Sequence, residues 1–253
     1  MLVDTHCHIF REYFDDIDSV IENCIYHGVG MIIVNGTNRH DNEEVLKLVK
    51  RYDIVYGALG IQPEEINDYT EDNLRFIEEH IDDDKILAVG EIGLDYHYEC
   101  DKELQKELFK KQLDIAKKHN KPVIIHSRDC ITETYNILKE TNVKGIMHCY
   151  SGSVEMAKEF VKIGFLLGIG GVSTFKNASK ILDVIKNIPL EYIVLETDAP
   201  YLSPEPYRGK RNEPCNVTVI LKKICEIKGI DYKVTSDITT RNVFRLFDKQ
   251  LKL

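Results

Sequence analysis

A chain of 253 residues, 43% hydrophobic and 30% charged, has the composition of an ordinary globular protein and the length of one large domain. A net charge of −9 argues against a protein that coats nucleic acid. It leaves room for an enzyme that reaches a nucleic-acid end through metal ions and a small basic patch, and the one dense basic stretch is Arg208-Gly209-Lys210-Arg211. No apolar run approaches the ~18 residues of a membrane span, and no basic-then-apolar stretch opens the chain, so no membrane partner and a cytoplasmic location are expected. The seven cysteines are odd in number, irregular in spacing and without a C-x-x-C pair, which points away from a disulfide framework or a zinc finger.

Taken in order, strand-like apolar runs alternate with helical patterns. The first run ends in Asp4-Thr5-His6-Cys7-His8, where strand alternation puts His6 and His8 on one face. A helix is expected over 15–27, a strand over 29–34, a helix over 42–51 and a strand over 54–59. Helix 71–81 and strand 86–89 follow. The clearest helix is 101–119, where Leu104, Leu108, Phe109, Leu113 and Ala116 recur at spacings of three and four. Strand 122–125, helix 131–139, strand 145–147, helix 154–162, strand 165–169, helix 178–186 and strand 192–195 complete the alternation. The tail from 214 to 247 reads as two helices split near Gly229. Continuous apolar strands are what a parallel sheet buried on both faces requires. Eight strand–helix units at this length predict a single-domain (β/α)8 TIM barrel over 1–253, with a doubly wound open sheet as the alternative. No dinucleotide fingerprint or P-loop is present.

Barrel active sites sit at the C-terminal ends of the strands. Strand one ends in His6 and His8, strand four in Glu91, strand five in His126, strand six in His148, and strand eight in Glu196-Thr197-Asp198. A single histidine at a strand end is ordinarily satisfied by a backbone carbonyl. Four imidazoles and at least two carboxylates in register at one rim make a metal centre instead. Six ligands exceed one tetrahedral zinc and suit two divalent ions bridged by a carboxylate; the mixed N/O set fits zinc, manganese or similar ions. The Arg208–Arg211 loop and the glycine pair Gly170-Gly171 before a helix near Asn177 are candidate phosphate sites.

These motifs carry a resemblance. Asp4-Thr5-His6-Cys7-His8, Gly90-Glu91-Ile92-Gly93-Leu94-Asp95-Tyr96, Asn120-Lys121-Pro122-Val123 through His126-Ser127-Arg128-Asp129, His148-Cys149-Tyr150-Ser151-Gly152, Glu196-Thr197-Asp198-Ala199-Pro200-Tyr201-Leu202 and Arg208-Gly209-Lys210-Arg211-Asn212 occur in one order along essentially the whole chain. The sequence resembles the TatD family of metal-dependent deoxyribonucleases, within the amidohydrolase-like barrels. The resemblance implies that His6, His8 and Asp198 hold one ion (zinc, manganese or magnesium), that His126 and His148 hold a second, and that Glu91 bridges them. Related barrels bridge with a modified lysine on strand four; here Lys85 lies at the wrong end of that strand.

The activity so implied is 3′→5′ exonucleolytic hydrolysis of single-stranded nucleic acid by a monomer. Glu91 and Asp198 would be catalytic, Asp198 orienting or deprotonating the attacking water. Arg208, Lys210, Arg211 and Tyr201 would contact substrate. Asp95 is a candidate partner for a metal-bound imidazole, His97 a candidate substrate contact, and Asp129 a helix cap. Gln62 stands where many family members carry a histidine in the loop after strand three. Hydrolysis of an ester or amide such as a misacylated aminoacyl-tRNA by the same centre is the second enzyme reading. A metal-holding binding module without turnover is the third.

Overall fold

The computed structural model describes residues 1–248; the last five residues of the expected 1–253 domain lie outside the described residues. Eight parallel strands follow one another around a single sheet: β1 (Leu2–Cys7), β2 (Val29–Asn35), β3 (Val55–Leu59), β4 (Ile86–Asp95), β5 (Val123–Arg128), β6 (Gly145–Met147), β7 (Phe165–Ile169) and β8 (Ile193–Leu195). A parallel bridge from Cys7 to Ala199, just beyond β8, brings the last strand back to the first. The result is the expected TIM barrel, and the open-sheet alternative falls away. The outer helices are α1 (Ile17–Tyr26), α2 (Arg39–Arg51), α3 (Glu71–His80), α4 (Lys102–Lys118), α5 (Ile131–Leu138), α6 (Val154–Lys162), α7 (Ser179–Asn187), α8 (Val217–Lys228) and α9 (Tyr232–Phe247). No described helix is long and apolar enough to cross a membrane.

Local chemistry sets most of the helix boundaries. Asp16, Asn38, Thr70, Asp101, Ser153 and Asp231 each cap a helix N-terminus by accepting a backbone N–H in the first turn. Asn38 starts α2 three residues ahead of the expected 42. Gly229, at φ 65°, ends α8 in the left-handed conformation that glycine adopts without a Cβ penalty.

Two apolar layers result. One lies between the sheet and the helices. The other fills the barrel with Val3, Met31, Ile33, Ala58, Leu87, Ile124, Ile146, Leu166 and Val194, and Val243 and Phe247 of α9 belong to the same cluster. Asn242 of α9 donates from its amide to the carbonyls of Leu190 and Ile193, meeting backbone acceptors at the start of β8. Each fully buried aliphatic or aromatic side chain is worth about 1.5–3 kcal/mol relative to exposure. The filled interior therefore leaves the C-terminal mouth as the place for chemistry.

One strand departs from expectation in a way that matters. β4 does not stop at 89. It continues through Glu91 to Asp95, with a register shift against β5 between Val89 and Ile92. Gly93 permits this: its φ is +150°, and a Cβ there would stand 1.9 Å from the His126 carbonyl oxygen. Such irregularities re-aim side chains at barrel rims.

Candidate metal centre

His6 and His8 converge at the end of β1, their Nε2 atoms 3.1 Å apart. Asp198 reaches the same point from beyond β8, its Oδ1 3.7 Å from each Nε2. Its backbone N–H donates to the His6 carbonyl at 2.9 Å, and its φ of 58° is a conformation that Asp tolerates better than most residues.

Glu91, 2% exposed, lies between this group and the remaining histidines. Its Oε2 is 3.4 Å from His6 Nε2 and 3.6 Å from His8 Nε2. Its Oε1 is 2.8 Å from His126 Nδ1 and 3.6 Å from His148 Nε2. One carboxylate oxygen thus faces each pair of imidazoles. The six residues named from the sequence are brought together, and two overlapping ligand groups stand out: His6, Glu91 and His148, and His6, His8 and Asp198. His6 and His148 stack with ring centroids 3.6 Å apart.

The donor set fits divalent cations. Four imidazoles and two carboxylates converge in a buried space, and His6 Nδ1 has no hydrogen-bond partner among the described residues. The charge state of the metal-free protein agrees. Burial disfavours ionised Glu91, yet His6, His148 and His126 outweigh it and hold the carboxyl well below its usual range. Burial likewise opposes charge on His126 and His148. Asp95 and Glu91 overcome it at His126 and raise its pKa to about 10. Glu196 and Glu91 do the same at His148, raising it to about 9. Burial and the His148 charge lower His6. Protons on His126 and His148 therefore supply the positive charge that ions would bring.

Metal uptake must expel those protons. At pH 8 the metal-free protein is expected to release about two protons on loading. Calorimetric titration in buffers of differing ionisation enthalpy checks this, and apparent affinity should rise with pH until both imidazoles are neutral. Uptake without proton release would mean that the ions bind elsewhere.

The frame around the ligands uses residues that sequence reasoning left without a role. Asp4 is fully buried; its Oδ1 accepts from the His6 and Thr197 N–H groups at 3.2 and 3.0 Å, and its Oδ2 from Thr197 Oγ1 at 2.5 Å. Burial pushes its carboxyl well above the usual range, with Thr197 pulling the other way. Asp4 therefore stitches β1 to the segment that carries Asp198. His8 Nδ1 meets the Asn35 carbonyl at 2.8 Å. Gln112 of α4 accepts from the Ile61 N–H and donates to the Ile61 carbonyl, and Gln105 accepts from the Asp95 N–H. Two buried glutamines two turns apart so pin the loop after β3 and the end of β4. Asp95 Oδ2 lies 2.8 Å from His126 Nε2, in the place expected of an imidazole partner.

Other expectations are corrected. Asp129 caps no helix: Cys130 precedes α5 without a side-chain cap bond, and Asp129 Oδ2 instead meets His97 Nδ1 at 2.9 Å. The glycine pair is closely packed. A Cβ on Gly171 would stand 2.0 Å from the Leu202 carbonyl oxygen and one on Gly170 3.2 Å from Glu196 Oε1, and a 3-10 turn at 171–174 intervenes before α7. Close packing accounts for Gly171. Arg211 is turned outward. It donates to the Tyr13 carbonyl at 2.6 Å, lies 4.6 Å over Phe14, and lines a cleft with Asp15, Asp16 and Glu213. Arg208 lies 4.1 Å over Phe175, and Lys210 is exposed. Tyr201 is 49% exposed with its ring 6.4 Å from that of His8, close enough to meet whatever occupies the centre.

An eight-stranded parallel barrel with a histidine–carboxylate centre at its C-terminal mouth defines a class: the metal-dependent hydrolase barrels. The TatD related DNase family profile matches residues 3–248. The chain is 43% identical over 252 residues to the metal-dependent hydrolase YabD of Bacillus subtilis, covering 98% of this chain and 99% of the relative. It is 33% identical over 255 residues to YcfH of Escherichia coli K12, covering 97% and 95%. The crystal structure of YjjV, a TatD homologue of Escherichia coli K12, superposes with a TM-score of 0.92 at 32% identity over 98% of both chains. The chain belongs to the TatD family of metal-dependent hydrolases.

Proposed function

We propose that this protein is a TatD-type deoxyribonuclease that holds two divalent ions and removes nucleotides from the 3′ end of single-stranded nucleic acid. The observation that carries the reading is Glu91, whose two oxygens face separate histidine pairs at distances of 2.8–3.6 Å. A carboxylate shared in this way suits a pair of ions ~3.5–4 Å apart, the spacing used for phosphodiester hydrolysis. Such ions supply Lewis-acid stabilisation of phosphoryl charge and a nucleophilic water near neutral pH.

The chain's own groups do the rest. His6, His8 and Asp198 would hold one ion, and His126 and His148 the other. Asp198, with its side chain 15% exposed against 3% for Glu91, stands on the solvent side and takes or orients the proton of the attacking water. Arg208 and Lys210 offer charge to the phosphate backbone, while Arg211 anchors their loop. Exposed Tyr201, Tyr207 and Tyr98 offer faces for base stacking, which tolerates any base. The family profile's DNase description supports the substrate class.

The test is hydrolysis of 5′-labelled and 3′-labelled single-stranded oligonucleotides by metal-stripped protein resupplied with magnesium, manganese or zinc. Expected is metal-dependent, stepwise shortening from the 3′ end. No cleavage by protein shown to carry two ions would overturn the nuclease reading. It would favour an ester or amide substrate, and Gln62, whose amide side chain cannot transfer the proton a histidine could, would be the first place to look for the reason.

A further inference from the structure

Two carboxylates outside the six candidate ligands are built into the centre by the same device. Glu196 is fully buried. Its Oε1 accepts the Cys149 backbone N–H at 2.7 Å, and its Oε2 lies 3.2 Å from His148 Nδ1. The space for it is made by Gly168, where a Cβ would stand 2.5 Å from Glu196 Oε2. Asp95 is 2% exposed. Its Oδ1 accepts the His97 backbone N–H at 2.8 Å, and its Oδ2 lies 2.8 Å from His126 Nε2. In each case a backbone N–H pins one oxygen and leaves the other for an imidazole. A carboxylate only accepts, so the nitrogen facing it carries the proton. The proton that metal uptake expels is then the one on the opposite ring nitrogen, Nε2 of His148 or Nδ1 of His126, which would offer its lone pair to the inside of the centre, where both face Glu91 Oε1.

The other two histidines lack this device. His8 Nδ1 meets a neutral backbone carbonyl, that of Asn35, and His6 Nδ1 has no partner among the described residues. The two halves of the centre therefore differ in what stands behind their ligands.

We propose that Glu196 and Asp95 are positioning residues dedicated to the His126–His148 metal position, fixing the tautomers of both imidazoles, so that this position can be emptied while the His6–His8–Asp198 position stays filled. The proposal rests on the two-ion reading above. It predicts a defined effect of the amide variants. In Glu196→Gln the side-chain oxygen stays on the Cys149 N–H, so the new NH2 faces His148 Nδ1. That nitrogen must become the acceptor, the proton moves to Nε2, and the lone pair aimed inward is lost. Asp95→Asn does the same to His126 through the His97 N–H. Shape and volume barely change in either variant. Partners of this kind are typically worth about 10–100-fold in metal affinity.

The experiment is calorimetric titration of metal-stripped protein with Zn2+, paired with visible spectroscopy of Co2+ uptake, which reports each ion's coordination. Wild type should take up two ions. Glu196→Gln and Asp95→Asn should each weaken one binding event about 10–100-fold, leave the other unchanged, and lose the same part of the Co2+ spectrum. His8→Asn should weaken the other event and lose the complementary part. Gly168→Ala, which displaces Glu196 without altering any donor, should mimic Glu196→Gln. Equal weakening of both events, or of neither, in folded amide variants overturns the proposal while leaving the two-ion reading intact. Failure of the wild type to bind two ions overturns both. Far-ultraviolet circular dichroism and a cooperative thermal transition certify each variant as folded. If Glu196→Gln does not fold, Asp95→Asn decides alone.

Discussion

Replacing Glu91 by glutamine is expected to lower kcat/KM by about a thousandfold or more and to cut the bound metal from two ions to one or none. The size follows from the central place of this one carboxylate. Glu91 Oε2 serves His6 and His8, and Oε1 serves His126 and His148, all within 3.6 Å. An amide keeps one weaker acceptor and turns a donor toward the opposite imidazoles, where lone pairs must point. It also removes the negative charge that lets two cations approach one another. The variant should fold, because the barrel is held by its apolar interior and by the Asp4–Thr197 stitch, and the substitution keeps the size and shape of the side chain. Metal content by elemental analysis, read beside kcat/KM on an oligonucleotide, checks the expectation. Two tightly held ions in Glu91→Gln would show that the carboxylate does not bridge.

The barrel was legible because its physics is written locally. Strands buried on both faces read as unbroken apolar runs, as in Val123-Ile124-Ile125 and Ile193-Val194-Leu195. The six candidate ligands were legible because they terminate such runs, and the fold sends every strand end to one mouth. What stayed hidden depends on pairings between distant segments. Glu196 meets His148 across 48 positions and Asp4 meets Thr197 across 193. The phase of Glu196 with Asp198 marks it as a candidate buried partner at the centre, but no local pattern names its imidazole, and none distinguishes Asp4 from an ordinary acidic residue. Gln105 and Gln112 look like solvent positions on an amphipathic helix, yet they are buried, where backbone groups at the end of β4 and in the loop after β3 find partners in them.

The errors have the same origin. Asp129 has the composition of a cap, but it sits at φ 57° and turns toward His97. The extension of β4 through Glu91 depends on how closely Gly93 lets it approach β5. Residue type was read correctly in each case; orientation belongs to tertiary structure. Position in a barrel strand fixes which end a residue occupies, not which neighbour it meets.

Asp198→Asn is expected to separate binding from turnover: kcat should fall by about 10²–10⁴-fold while KM changes little and most of the metal remains. The substitution suits the question. Asp198 sits at φ 58°, and asparagine is the residue besides glycine and aspartate that enters this conformation most readily, so the backbone should hold. The N–H that donates to His6 and the carbonyl that accepts from Tyr201 are unaffected. An amide oxygen can still approach an ion near His6 and His8, both 3.7 Å from Oδ1, but it cannot accept a proton near neutral pH. His8, in turn, loses the carboxylate that raises its own basicity against the opposing effect of burial. Single-turnover kinetics with metal content measured on the same sample tests the split. A variant with two ions and wild-type turnover would place the general base elsewhere. A variant that loses its metal and its activity together would make Asp198 a ligand first. The expected result, metal kept and chemistry lost, assigns the proton transfer to Asp198, the more exposed of the two carboxylates among the six and the one that incoming water meets first.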